Sequence, residues 1–217
     1  VQSRMMALAR SLGWLTPAQE QAEFVRMVSD RMERDSLGQT EVDLVCGAPQ
    51  ESGPGLARQV LASGAARLTN VAHSAVLACL GSSEAHERTV RALTSSRDDE
   101  VAVAQVYLRH RPLASVGELR AVTSGIARMT APAAQVRALE TLAKQRLADP
   151  QSLQEIARLF PLARSLDVQR AIAGILIRSD TKMLVRADLA RSLRQTRLKS
   201  PDGNDVIDVL IRLLQTT

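Results

Sequence analysis

Seven basic side chains crowd the segment from Arg178 to Lys199: Arg178, Lys182, Arg186, Arg191, Arg194, Arg197 and Lys199, opposed only by Asp180 and Asp188. At helical spacing, Leu184, Val185, Leu189 and Leu193 fall on one stripe. That stripe belongs in a core, which leaves Arg186, Arg191, Arg194 and Arg197 to the solvent side. A basic amphipathic helix of this kind suits an acidic partner or a phosphate backbone. None of the four aromatic residues (Trp14, Phe24, Tyr107 and Phe160) lies in the segment, so it offers no platform on which bases could stack. The four arginines are therefore the candidate binding residues. A protein or peptide partner ranks ahead of nucleic acid.

Other residue types capable of chemistry give weaker patterns. His73, His86 and His110 are not paired at i,i+3 or i,i+4, and no acidic residue joins them at zinc spacing. His110 sits where a helix ends before Pro112, a position in which a cation complements the end carbonyls. Asp98, Asp99 and Glu100 place three carboxylates at a helix start, where negative charge is stabilising without any catalytic role. Gly53-Pro54-Gly55 lacks the spacing and trailing lysine of a phosphate loop and reads as a turn. There is no Gly-x-Ser-x-Gly elbow. No cofactor, metal or catalytic residue is expected. Cys46 and Cys79 read as two buried thiols, with a disulfide as the alternative.

The elements that must carry these residues are helices with visible starts and stops. Thr16-Pro17-Ala18-Gln19 and Ser115-Val116-Gly117-Glu118 are capping boxes, in which a hydroxyl serves an orphan amide and the fourth side chain reaches back. Asp149-Pro150 and Ser200-Pro201 pair a cap with proline at the first helical position. Gly13, Gly81, Pro112 and Pro161 supply stops. The spacing predicts helices near 2–12, 17–34, 56–63, 66–80, 84–95, 99–110, 116–129, 132–147, 150–160, 166–179, 182–197 and 204–215. Residues 36–55 read as irregular, with 41–46 either a short helix or a strand.

Three of these helices share a pattern. Val101, Val136 and Val168 anchor them, 35 and 32 residues apart, followed three later by Ala104, Leu139 and Ala171 and seven later by Leu108, Ala143 and Ile175. Leu68, Val71 and Ala75 fit the same frame one period earlier. Asp167-Val168-Gln169-Arg170-Ala171 is the fullest version. This pattern resembles the first helix of HEAT and bacterial HEAT-like repeats over about 66–197. The resemblance implies an all-α fold, a short right-handed α–α superhelix of stacked helix pairs whose second helices line a concave side. An irregular helical bundle is the alternative. It also implies a ladder of Asp–Arg contacts between repeats involving Arg137, Arg170 and Asp167, a structural role.

Composition agrees with helices packed closely through small side chains. Apolar residues make up 45% of the 217, yet aromatics only 2%, so Ala, Leu, Val and Ile must fill the core. Residues 1–100 hold 10 basic and 13 acidic side chains, and residues 101–217 hold 18 and 10, which concentrates the net charge of +5 in the second half. No run approaches a membrane span. The chain opens on Val1 rather than Met, which leaves localisation and export open. The expected organisation is one helical-repeat domain over 1–217, irregular over 1–65 and repetitive over 66–217. The expected function is a non-catalytic scaffold that holds a partner protein or peptide on the concave face. Alternatives are a nucleic-acid or phosphate-binding module using the basic C-terminal helices, and an enzyme related to HEAT-like bilin lyases, which no residue here demands.

Overall fold

The computed structural model describes residues 5, 8–9, 11–47, 70–146, 148–180, 182, 184, 186–200 and 204–215. The expected helix at 56–63, the Gly53-Pro54-Gly55 turn, Leu68 and the stripe position Val185 lie outside the described residues. Among the described residues there are eleven α-helices and no strand. The chain divides into two compact units, 1–89 and 90–217.

In the first unit, α1 (Pro17–Glu33) starts at the capping box read from the sequence. The Gln19 amide donates to Thr16 Oγ1 at 3.3 Å, and the Thr16 amide donates to Gln19 Oε1 at 3.0 Å. Its buried face is Met27, Val28 and Met32. The helix ends with Asp35 at φ 51°, a left-handed residue that lets the Ser36 amide reach back to Arg31 O. The segment expected to be irregular contains α2 (Gln39–Gly47), which packs on α3 (Val71–Cys79). Glu41 holds its start by accepting from the Gly38 amide at 2.9 Å. Cys46 and Cys79 are joined by a disulfide, which corrects the reading as two thiols. Adjacent α2 and α3 bring the two Cα atoms to 5.2 Å, within bonding range. Helix α4 (Ser83–Ala92) then carries the chain across the boundary between the units.

The second unit alternates two kinds of helix. The first kind comprises α5 (Asp98–His110), α7 (Pro132–Leu142), α9 (Leu166–Arg178) and α11 (Val206–Gln215). They pack in series, α5 on α7, α7 on α9 and α9 on α11. The second kind comprises α6 (Val116–Ala127), α8 (Pro150–Leu159) and α10 (Arg186–Thr196). Helix α6 packs on α8, and α10 leans on the 3-10 turn Phe160–Leu162 that closes α8. Consecutive helices of the first kind thus contact one another, as do α6 and α8.

Burial shows the repeat behind this alternation. Leu119 and Leu153, Val122 and Ile156, Ile126 and Phe160, Ala138 and Ile172, and Leu142 and Leu176 are pairs 34 residues apart, and every member is at most 4% exposed. The N-caps Ser115 and Asp149 obey the same spacing, each accepting from the amide three residues on. Ala104 and Leu108 extend the register back to α5. The valine register is therefore off by one residue. Ala134 is the counterpart of Val168, and Val136 and Ala171 are only half-buried. A glutamine amide occupies the position that anchors the period, at Gln135 and again at Gln169.

These glutamines join helices. Gln135 Nε2 donates to Ile126 O at 3.0 Å, the end of α6. Gln169, fully buried, donates to Phe160 O at 3.3 Å and to Thr196 O at 3.0 Å, and its Oε1 accepts from the Leu198 amide at 2.8 Å. One side chain thereby serves the carbonyl ends of both α8 and α10, groups that a helix cannot satisfy internally.

Candidate functional site

Arginine–aspartate forks set the orientation of the second helices. Asp149, the N-cap of α8, accepts from the Ser152 amide and hydroxyl and from Arg120 of α6 at 2.8 and 3.0 Å. The Arg120 bonds, then those from Ser152, hold its carboxyl far below the usual carboxylate range. Further along, Ser124 of α6 donates to Glu155 of α8 at 2.9 Å. The start of α6 thus lies by the start of α8, and middle lies by middle: the two run parallel. Their C-terminal ends consequently share one edge of the unit, and Gln169 gathers the end of α10 to the end of α8.

The same edge carries the starts of the first-kind helices and their own ion pairs. Arg170 of α9 donates to Asp205 Oδ2 at 2.8 Å, and it lies 3.5 Å from Asp167. Arg137 of α7 reaches back to α5, with Nη2 3.9 Å from Asp98 Oδ2 and Nη1 donating to Asp98 O at 3.3 Å. Burial pushes the Asp205 carboxyl up, but the bonds from Arg170 and Ser200 outweigh it and hold the group below its ordinary value.

Against this background the four arginines read as binding residues separate. Arg197 is not free for a partner: its guanidinium forks onto Asp208 of α11 and lowers that carboxyl. The expectation that it projects into solvent is corrected, because Asp208 of α11 holds it in an ion pair. Arg191 is exposed beside an equally exposed Asp188 at 3.6 Å, a pair of little energetic weight. Arg186 is half-buried at the start of α10. Arg194 is exposed in the last turn of α10 and, among the described residues, makes no ion pair.

Arg194 has counterparts that the sequence reading passed over. Arg128 caps the end of α6, Arg158 lies in the last turn of α8, Arg164 follows the 3-10 turn, and Lys199 follows α10. All are exposed, and none makes an ion pair among the described residues. Residues 116–129, 150–164 and 186–199, the second-kind helices with the runs that close them, hold nine basic and three acidic side chains. The corresponding first-kind segments, 98–111, 132–146, 166–178 and 205–215, hold eight and seven. The three acids of the basic layer are already engaged: Glu118 with the Ala114 amide, Glu155 with Ser124, and Asp188 with Arg191. The signal in the sequence was the recurrence of arginine near each second-helix end, hidden by the stronger cluster after residue 178.

A pocket of about 200 Å³ opens at the end of α6, lined by Thr94, Ser95, Ser96, Gly125, Arg128, Met129, Thr130 and Ala131. Two of its hydroxyls are committed, Thr94 to Arg91 O at 3.0 Å and Ser95 to Glu100 Oε2 at 2.5 Å. Ser96, Thr130 and the Arg128 guanidinium remain as donors. Gly125 forms its wall because a Cβ there would stand 2.7 Å from Thr94 Cγ2.

The histidines do not assemble a site. His73 is buried in α3 with Nε2 3.5 Å from Asp35 Oδ1, and its ring nitrogens have no hydrogen-bond partner among the described residues. Among the described residues, no group of three or more His, Cys, Asp or Glu side chains is placed to hold a metal ion, and no helix is long and apolar enough to cross a membrane. Tyr107 is an interior residue whose burial pushes its hydroxyl up to about 12.

Compared with known proteins, the chain matches no family model, no curated protein and no solved structure. Its own geometry must therefore carry the functional reading.

Proposed function

We propose that residues 90–217 are a short right-handed α–α solenoid of the HEAT-like kind, serving as a protein-interaction scaffold whose partner lies on the layer of second helices. The observation that supports this reading is the 34-residue recurrence of buried positions, N-caps and end-joining glutamines across α6–α7 and α8–α9. One helix pair cannot bury its own apolar stripe, so repeated pairs make a continuous core and an extended outer surface. That surface is what such an architecture has to offer a partner, and the second-helix layer is the one whose charge is out of balance.

The test is site-directed photocrosslinking in the native cell. Crosslinkers placed at the exposed Gln154 of α8 and, separately, at the exposed Glu140 of α7 report the two layers. Adducts of one defined partner from position 154 and none from position 140 are expected. Equal labelling from both, or none from 154, overturns the reading. Recovery of a nucleic acid in place of a protein adduct assigns the surface to the nucleic-acid alternative.

A further inference from the structure

We infer that the edge formed by the C-terminal ends of α6, α8 and α10 docks an acidic, extended segment of a partner protein, with Arg128 and its pocket receiving one carboxylate. The inference rests on the scaffold reading and names the chemistry of the partner. Three observations carry it. Parallel α6 and α8, fixed by Arg120–Asp149 and Ser124–Glu155, bring Arg128 and Arg158 to the same edge. Gln169 joins the ends of α8 and α10, so Arg194 belongs to that edge as well. The carboxylates there each face an arginine, Asp98 that of Arg137, Asp99 and Glu100 that of Arg97, Asp167 and Asp205 that of Arg170 and Asp208 that of Arg197, whereas Arg128, Arg158 and Arg194 stay exposed and without an ion pair among the described residues.

Cations at helix ends complement the end carbonyls, and that accounts for a basic residue in each position. It does not account for three of them that no carboxylate pairs among the described residues. Packed helices lie about 8–10 Å apart, and an extended chain advances about 3.3 Å per residue. Carboxylates spaced about every third residue thus match the row. At its α6 end, the pocket offers the Arg128 guanidinium with the Ser96 and Thr130 hydroxyls, donors suited to a carboxylate. Tyr107 and Phe160, the aromatic residues of this unit, are both buried, so the edge has no ring on which a nucleic-acid base could stack.

The test is fluorescence anisotropy with a labelled twelve-residue peptide carrying Glu at every third position among Gly and Ser. Its Gln counterpart, a single-stranded DNA and a duplex DNA are the comparison probes, each measured at low and at physiological salt. The Glu peptide should bind and the Gln peptide should not. Arg158→Gln with Arg194→Gln should weaken binding about tenfold, since each exposed pair is worth up to about a factor of five. Arg128→Gln should weaken it as well. Lys144→Gln with Arg178→Gln, the same charge change at the C-terminal ends of α7 and α9, should leave it within about twofold. All five residues are exposed, and circular dichroism confirms that the variants fold. Equal loss from the Lys144 and Arg178 pair, equal binding of the Glu and Gln peptides, or tighter binding of either DNA overturns the inference. Failure here with a crosslinked partner at position 154 leaves the scaffold standing and refutes only its acidic partner. Failure of the crosslink removes the scaffold itself.

Discussion

Gln169→Leu is the substitution that most directly tests the repeat. Leucine has nearly the volume of glutamine and suits a position that is fully buried, so any cost comes from hydrogen bonds rather than a cavity. Two groups lose their partner, Thr196 O and the Leu198 amide, while Phe160 O loses one bond and keeps the Ala163 amide. An orphaned polar group costs about 1–3 kcal/mol, with the upper part of the range for the most buried. Taking about 1 kcal/mol for each of the three bonds lost gives about 3. Burying two methyls in place of an amide returns about 1 kcal/mol. The expected loss is about 2 kcal/mol, a sizeable share of the roughly 5–15 kcal/mol of a typical domain. The same change at Gln135, which makes one bond from a half-buried position, should cost only about 1 kcal/mol. Urea unfolding followed by circular dichroism measures both, with an unchanged slope required for a two-state reading. If the two variants lose equal stability, or if Gln169→Leu loses less than Gln135→Leu, the role assigned to Gln169 as the joint between α8 and α10 is wrong.

Three other outcomes follow from the geometry. Gly125→Ala should destabilise by about 1 kcal/mol although alanine is the better helix former, because its Cβ meets Thr94; adding Thr94→Ala should recover most of the loss in a double-mutant cycle, and a stabilised single variant would refute the contact. Val168→Asp should cost about 4 kcal/mol or leave the chain unfolded, read as a drop in melting temperature, because it sets an unpaired charge at a position 2% exposed. The carboxyls of Asp149, Asp205 and Asp208 lie below the ordinary 3.8 in the folded chain. Their contribution to stability is fully present above about pH 5 and is lost as the pH falls below 4 toward the folded values. Melting temperature should drop over that window, and Asp208→Asn should flatten the drop.

Helix starts were legible because capping is local chemistry. Thr16 with Gln19, Ser115 with Glu118 and Asp149 before Pro150 all cap as their side chains dictate. The mean spacing of the repeat was legible too, but its register was not. Periodicity searches weight apolar residues, and Gln135 and Gln169 count as surface residues until one sees that each lies nine positions after the carbonyl it serves. Residues 39–47 were obscured by surrounding glycines and prolines, although Val42, Val45 and Cys46 sit at helical spacing. Of the candidate site, Arg194 stood out and Arg197 misled, since its partner Asp208 lies eleven residues on, in α11. Arg128 and Arg158 are single arginines at the ends of separate helices, and only the parallel run of α6 and α8 relates those ends.

The disulfide makes the two units unequal in their dependence on surroundings. Both cysteines lie in residues 1–89, and 90–217 contain none. Closing a loop of 33 residues removes unfolded-state entropy worth about 3–4 kcal/mol. The first unit therefore reaches full stability only where the redox poise keeps thiols oxidised, as in an exported compartment, and gives it up in a reducing cytosol. The second unit is indifferent to that poise. A change of compartment or of glutathione level would leave residues 90–217 without a bond to lose while loosening residues 1–89.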